Sequence, residues 1–110
     1  MKLPNAERAV VQIEKLRTYS LNPHHEAGKH KARVFQAALG LTIDDADWLR
    51  EKILAAVPGE DAYEGSPSVF GRKYVVDILV TRGGRSGTVR TTWIIEHGVD
   101  YPRLTSCYVL

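Results

Sequence analysis

The spacing of hydrophobic residues changes once along the chain, at Gly71, and this change limits the possible folds more than any other feature. Before it, apolar residues recur every three or four positions, which is typical of the buried face of a helix. After it, apolar and polar residues alternate within stretches rich in β-branched and aromatic side chains, which is typical of strands. Helices followed by strands predict an α+β fold with an antiparallel sheet. We expect three N-terminal helices packed on one face of a three- to four-stranded sheet.

Cap and turn signals delimit the helices. Asn5 is a good N-cap residue, the residue before Pro23 is pushed out of the helical region, and Gly40 is a typical C′ residue. Thr42 and Asp45 form a short capping box for the last helix. We therefore predict helices over about four turns from Asn5, from Glu26–Lys29 to Gly40, and from Thr42 to Pro58-Gly59.

The strands follow a loop at 58–71, which we expect to hold one more short strand at its end. A glycine-rich hairpin loop at 82–87 and a turn at 97–102 separate them. They are predicted over Arg72–Thr81, Thr88–Glu96 and Arg103–Leu110. Alternation assigns Tyr74, Trp93, Leu104 and Ser106 to the core face. The other face receives Cys107 and a mostly polar set: Lys73, Asp77, Arg90, Thr92, Arg103 and Thr105.

The composition excludes several classes of protein. A chain of 110 residues predicts a single α+β domain over 1–110, and a net charge of +2 is too small to indicate a nucleic-acid binder by itself. The single cysteine excludes an internal disulfide and favours a reducing compartment. Pro4, Asn5, Glu7 and Arg8 stand where a signal peptide would need an apolar segment, so we expect none, and no apolar run approaches the roughly 18 residues of a membrane span. We expect a cytoplasmic protein without a membrane partner.

The most unusual stretch is Leu21–Gly40, which holds three of the four histidines at the start of the second helix. A histidine titrates near neutral pH, so His25 is a candidate general acid or base, with Lys31 as its electrostatic partner. Arg90 and Arg103 are candidate phosphate ligands on the sheet, because guanidinium groups bind phosphate oxygens in pairs. We assign Asn22, Lys29, Thr92 and Thr105 as further substrate-binding residues.

This set requires no metal and no cofactor. Metal-independent RNA cleavage needs a base for the 2′-OH, an acid for the leaving oxygen and cations for the phosphorane. A metal site is disfavoured because adjacent His24 and His25 lack a suitably spaced carboxylate or cysteine and have lysines nearby.

A structural interpretation of the same residues stays open. Asn22 and His25 can satisfy free backbone N–H groups at the start of the second helix. Gly28 can be required where two helices cross closely. The sheet residues can form a solvated face, with threonines chosen for β propensity.

Three sequence runs also resemble a known family: Leu21–Gly40 with its Asn-Pro-x-His-x-x-Gly-x-x-Lys-Ala-x-x-Phe pattern, Val89–Ile94, and Pro102–Thr105. The chain is similar over Leu3–Val109 to a small bacterial domain of uncharacterised function. That domain occurs free-standing and at the C-terminal tips of contact-dependent polymorphic toxins and filamentous haemagglutinins. The position on toxin tips implies a small effector of nuclease type, and the order of helices before an antiparallel sheet is similar to the barnase, EndoU and colicin group of ribonucleases, an analogy of fold only. The resemblance points to Asn22, His25, Gly28, Lys31, Arg90, Thr91 and Arg103, although alternation places Thr91 on the core face.

Three functions follow as hypotheses. The first is a toxin-like, metal-independent ribonuclease or RNA-binding domain whose partner is RNA or another phosphate-bearing ligand. The second is a non-enzymatic module that pairs with a second copy or another protein through its exposed C-terminal strand. The third is a binder of a small anionic ligand that uses the same cations.

Overall fold

The computed structural model describes all residues, 1–110, and its helical elements precede the strands. Two of the three helices form where they are predicted. Gly40 ends the second helix with a positive φ of 67°, and Thr42 and Asp45 form the expected capping box. The helices are α1 (Ile13–Lys15, continued as a π-helical turn over Leu16–Ser20), α2 (Lys29–Leu39) and α3 (Ala46–Ala56); short 3₁₀ turns occupy Ala6–Arg8, Ile43–Asp45 and Val57–Gly59.

Four antiparallel strands form one sheet in the order of the chain, which confirms the α+β class and the antiparallel arrangement. The strands are β1 (Ala62–Glu64), β2 (Gly71–Arg82), β3 (Arg85–Glu96) and β4 (Arg103–Val109). The additional short strand, β1, lies in the middle of the 58–71 segment instead of at its end. It is held there by pairing with the centre of β2, where Ala62 lies opposite Val76.

The hairpin between β2 and β3 turns over Gly83 and Gly84, whose φ values are 56° and 80°. Two consecutive positive φ angles are what a type I′ turn requires, and they explain the two glycines. The tight turn fixes the register of the hairpin. It places Asp77 opposite Arg90 and Val76 opposite Thr91.

The buried side chains form one core, and most of them are those predicted by periodicity. The third helix completely buries the apolar residues that recur at helical spacing, Ala46, Leu49 and Ile53, and the first long strand buries every second residue from Tyr74 to Val80. Large side chains at the centre of the core are Trp93, Tyr74, Phe35, Leu16, Leu39, Leu49, Ile53, Ile78 and Leu104.

The last strand departs from simple alternation. A β-bulge shifts the register between β3 and β4, so that Trp93 lies opposite Leu104 but Thr92 lies opposite Ser106, and Thr105 is the extra residue. Past the bulge, the faces of β4 are exchanged. Cys107 is therefore buried, and the prediction that Ser106 faces the core and Cys107 faces away is wrong.

The first predicted helix is wrong over its N-terminal half. Asn5 has a left-handed φ of 53° and makes no cap, and residues 9–12 are extended. Long-range hydrogen bonds override the helical pattern there, because the Val10 amide donates to the Pro102 carbonyl and the Leu104 amide donates to the Val10 carbonyl. Lys2 also pairs with Asp61 beside β1. Residues 2–10, here the N-terminal strap, thus run from one edge of the sheet to the other.

Candidate functional site

A polar cleft of about 380 Å³ lies between α1, α2 and the edge of β4. Lys31 enters it from α2. We call this cleft, whose lining is almost entirely polar, the Lys31 cleft. Its lining residues are Gln12, Glu14, Lys15, Thr18, Tyr19, Lys31, Thr105 and Ser106.

The half-buried ammonium of Lys31 has neutral partners only. Its Nζ donates to Tyr19 Oη at 2.9 Å and to Ser106 Oγ at 3.2 Å, and no carboxylate lies within ion-pair distance. An ammonium has three N–H donors, so one remains free, and each accepting hydroxyl keeps its own proton to donate. The three groups together can offer several donors to a single anion.

Gly28 explains how Tyr19 reaches this position. A Cβ at Gly28 would lie 2.3 Å from the backbone oxygen of Tyr19, so only glycine permits the turn before α2 to approach the π-helical turn this closely. The close-crossing interpretation of Gly28 is confirmed. The backbone approach thereby places the phenol of Tyr19 beside Lys31.

His25 lies in the turn that leads into α2, and its ring is engaged with the backbone. Nδ1 accepts hydrogen bonds from the amides of Ala27 at 3.0 Å and Gly28 at 2.9 Å, and the ring meets Tyr19 edge-on. The interpretation of His25 as a cap for free N–H groups is confirmed. With Nδ1 occupied as an acceptor, the neutral ring carries its proton on Nε2, which leaves a donor and no free lone pair.

Asn22 and Lys29 make local contacts around the same turn. Asn22 Oδ1 accepts a hydrogen bond from the His24 amide at 2.9 Å, so this side chain has a structural role, but in the turn after α1 and not at the start of α2. Lys29 Nζ lies 3.8 Å from a carboxylate oxygen of Glu26 in an exposed pair within one helical turn. Neither residue lines the Lys31 cleft.

The two candidate arginines of the sheet are ion-paired. Arg90 binds Asp77 through two parallel hydrogen bonds of 2.9 and 3.0 Å, and these bonds with the charge of Asp77 raise the pKa of Arg90. Arg103 donates twice to Glu96, at 3.1 and 3.2 Å. Neither guanidinium lines the Lys31 cleft.

Thr92 and Thr105 lie beside the bulge, where their hydroxyls are 2.7 Å apart. Thr105 also lines the Lys31 cleft, so it is the predicted site residue that the structure brings together with Lys31. Thr91 is buried. Its hydroxyl donates to the Val76 carbonyl and accepts from the Trp93 indole, as expected for a residue on the core face.

Cys107 is fully buried, with its Sγ 3.7 Å from Ser20 Oγ. Burial raises the pKa of the thiol to about 12, in spite of this hydrogen bond and the charge of Lys31. A thiol in this state is a packing group and not a nucleophile.

Sequence reasoning missed Tyr19 and Ser106, the two partners of Lys31. Tyr19 matched the apolar spacing of α1, so nothing in the pattern assigned it a polar role. Ser106 was assigned to the core face, and only the bulge at Thr105 turns it into the cleft. A bulge without glycine or proline leaves little signal in a sequence.

Two further findings concern the whole chain. No helix has both the length and the apolar character that crossing a membrane requires. No group of three or more His, Cys, Asp or Glu side chains is placed to hold a metal ion.

A family model described as a domain of unknown function (DUF6883) matches residues 2–110. This match confirms the resemblance at the level of a small domain of unknown function and over nearly the whole chain. Bacterial origin and an association with toxins stay predictions. Among curated proteins, none matches the chain.

Proposed function

Since the chain belongs to the DUF6883 family, a domain of unknown function, we propose its function from its own geometry: it is an RNA-binding domain that holds a phosphate group of RNA in the Lys31 cleft. One observation carries this proposal. Lys31 is a half-buried ammonium with two hydroxyl partners and no counter-ion, at the wall of a polar cleft.

The physical argument rests on unused hydrogen-bonding capacity. Lys31 retains one free N–H, and Tyr19 and Ser106 retain their hydroxyl protons. A phosphate oxygen can accept all three kinds of donor, and bonds that join charged groups are the stronger ones. Lys15, which has no ion-pair partner, lines the same cleft and adds a second positive charge.

We also infer that the helices cover only the sheet face that carries Trp93. The exposure of neighbouring β2 residues supports this, because Ile78 and Val80 are almost completely buried whereas Leu79 between them is 71% exposed. The opposite face, with Lys73, Thr92 and Arg90, is then open to a ligand.

Metal-independent cleavage of RNA stays a prediction within this proposal. A base role for His25 would require its Nδ1 to leave the amides of Ala27 and Gly28, so binding is the better-supported activity. Incubation of total RNA in EDTA with the protein, beside a His25→Ala variant, tests cleavage. Absence of cleavage at high protein concentration would remove the enzymatic prediction and leave the binding proposal intact.

The hypothesis that the domain pairs with another chain through its C-terminal strand is restricted by the N-terminal strap. The N-terminal strap hydrogen-bonds to β4 at Pro102 and Leu104, so an added strand could pair only with the C-terminal part of β4. The small-ligand hypothesis uses the same cleft, and the binding experiment below separates it from the RNA hypothesis.

The binding test uses calorimetric or NMR titration with a uridine dinucleotide and, separately, with inorganic phosphate. We expect Lys31→Gln to weaken dinucleotide binding about tenfold or more, which corresponds to about 1.4 kcal/mol. The matched control is Arg33→Gln on the same helix, whose guanidinium is exposed, unpaired and outside the cleft. Equal affinity of wild type and Lys31→Gln for the dinucleotide would overturn the proposal, and binding of inorganic phosphate as tight as that of the dinucleotide would favour a small anionic ligand.

A further inference from the structure

The Lys31 cleft is one end of a longer depression. A second pocket of about 350 Å³ lies on the other side of β4 and is lined by Thr92, Lys73 and Ser66 among others. Thr105, the extra residue of the bulge, lines both this Lys73 pocket and the Lys31 cleft. The bulge therefore forms the point at which a ligand in the cleft can cross the edge of the sheet.

A third pocket, also of about 350 Å³, continues the depression from the Lys73 pocket. It shares Gly65, Ser66 and Lys73 with that pocket and adds Arg72 and His97. We call this third part the His97 pocket and the three parts together the groove. The groove runs from α1 over the bulge to the loop that precedes β2.

The groove gathers four of the cations that have no ion-pair partner; four more, Arg33, Arg50, Lys52 and Arg85, lie outside it. Lys15, Lys31, Arg72 and Lys73 line it, and none of them forms an ion pair. Every lysine or arginine that does form an ion pair lies outside the groove. The carboxylates of the groove, Glu14 and Glu64, are fewer than its cations and are both exposed. Such a track of uncompensated positive charge fits a polyanion better than a single small anion.

An exposed aromatic side chain stands at the far end. Phe70 is 71% exposed, and its backbone carbonyl accepts a hydrogen bond from the amide of His97, which lines the His97 pocket. A phenylalanine in water next to a cationic groove is a typical platform on which an unpaired base stacks.

We infer that the ligand of this domain is single-stranded RNA, which runs from the Lys31 cleft over Thr105 and along Lys73 to a base stacked on Phe70. This inference rests on the proposed function and extends it from one phosphate to a strand of roughly four nucleotides or more, the lower range of known single-strand sites. Lys31, Lys73 and Arg72 hold successive phosphates, and Thr105, when its hydroxyl accepts the proton of Thr92, keeps its own proton to donate where the strand crosses the sheet.

The test is fluorescence anisotropy with labelled oligouridylates of two and eight nucleotides, at several salt concentrations. We expect the octamer to bind at least tenfold more tightly than the dimer. Lys73→Gln should weaken the octamer about three- to tenfold, lower the slope of log affinity against log salt by about 0.7, and leave the dimer unaffected. Phe70→Ala should weaken the octamer about tenfold through lost stacking.

Lys52→Gln is the matched control, because Lys52 is exposed and unpaired on α3 and lies outside the groove. If the octamer binds no better than the dimer and Lys73→Gln binds as wild type does, the inference that RNA occupies the whole groove is overturned. The proposed site at Lys31 would stand. Failure of both oligonucleotides to bind would overturn the proposed function itself. Equal losses of affinity for Lys52→Gln and Lys73→Gln would show that binding depends only on non-specific surface charge. Equal affinities for the deoxyuridine and uridine octamers would overturn the assignment to RNA.

Discussion

Two regions of this domain carry cations, and they differ in the groups that surround the positive charge. Arg90 on β3 has its carboxylate, Asp77, directly across the hairpin, and the pair satisfies itself through two hydrogen bonds. Lys31 on α2 has two hydroxyls and no acid. The comparison teaches that the number of cations indicates little about binding. What matters is whether each cation already has a partner of opposite charge.

The largest effect is expected at Gly28, which underlies the position of Tyr19 and therefore of Lys31. Gly28→Ala places a Cβ against the Tyr19 carbonyl, so we expect the free energy of unfolding to fall by about 2 kcal/mol and ligand affinity to fall with it. Urea unfolding and titration measure the two effects. Gly59→Ala is the control, because a Cβ there meets no atom within 4 Å. A Gly28→Ala variant as stable as wild type would show that this close approach does not hold the cleft together.

His25 tests whether the turn beside the cleft is structural or chemical. We expect His25→Ala to lower the free energy of unfolding by about 1 kcal/mol, because two amides lose their acceptor. His25→Asn should recover most of this loss, since an asparagine side-chain oxygen can accept the same N–H groups. If RNA cleavage is found, activity that survives in His25→Asn would exclude a catalytic role, whereas a stable but inactive His25→Asn would support one.

Asp45 belongs to the part of the molecule whose charges are compensated, and its effect should depend on pH. Burial raises its pKa, but the Thr42 amide and Arg82 lower it more, so the folded-state pKa lies below the ordinary value. Its contribution to stability is then complete at neutral pH and disappears as the pH falls below about 4. We expect Asp45→Asn to cost about 1 kcal/mol at pH 7.

Urea unfolding at pH 7 and at pH 3 measures this dependence. The stabilities of wild type and Asp45→Asn should lie closer together at the lower pH, because part of the Asp45 carboxylate is protonated there. An equal difference at both pH values would show that the carboxylate charge is not what stabilises the capping box.

The smallest effect is expected for Arg90, and it tests the comparison between this paired cation and the unpaired Lys31 most directly. Arg90→Gln removes a half-exposed pair, to which water still has access, and such pairs contribute little because water screens them. We expect a slight decrease in thermal stability and unchanged affinity for the uridine dinucleotide, in contrast to Lys31→Gln. A loss of affinity as large as that of Lys31→Gln would show that the paired face takes part in binding.

The difference between the two regions was only partly visible in the sequence. The two glycines at 83 and 84 centre the hairpin, and counting outward from them places Asp77 opposite Arg90. The ion pair of Arg90 could therefore have been predicted from a type I′ turn. The partners of Lys31 could not, because they depend on a bulge and on the approach of two turns that are distant in the chain.

For the fold as well, features set by the local sequence pattern were predicted, whereas features set by tertiary contacts were not. Alternation predicted the buried residues of β2, and helical periodicity with capping signals predicted α2 and α3, because local pattern and burial agree there. Prediction failed for residues 9–12 and for the end of β4. In both places a tertiary hydrogen bond or a register shift overrides the local preference.

The N-terminal strap has a consequence for how copies of this protein meet. Met1 accepts the Ala62 amide beside one outer strand, and Val10 exchanges hydrogen bonds with the other outer strand. These hydrogen bonds occupy backbone N–H and C=O groups of the outer strands, with which a strand of a neighbouring chain could otherwise pair. The nine residues of the strap thus have two roles, because Leu3 and Ala6 pack into the core while the backbone covers part of both outer strands, and we expect this cover to disfavour the growth of fibres from copies of the chain.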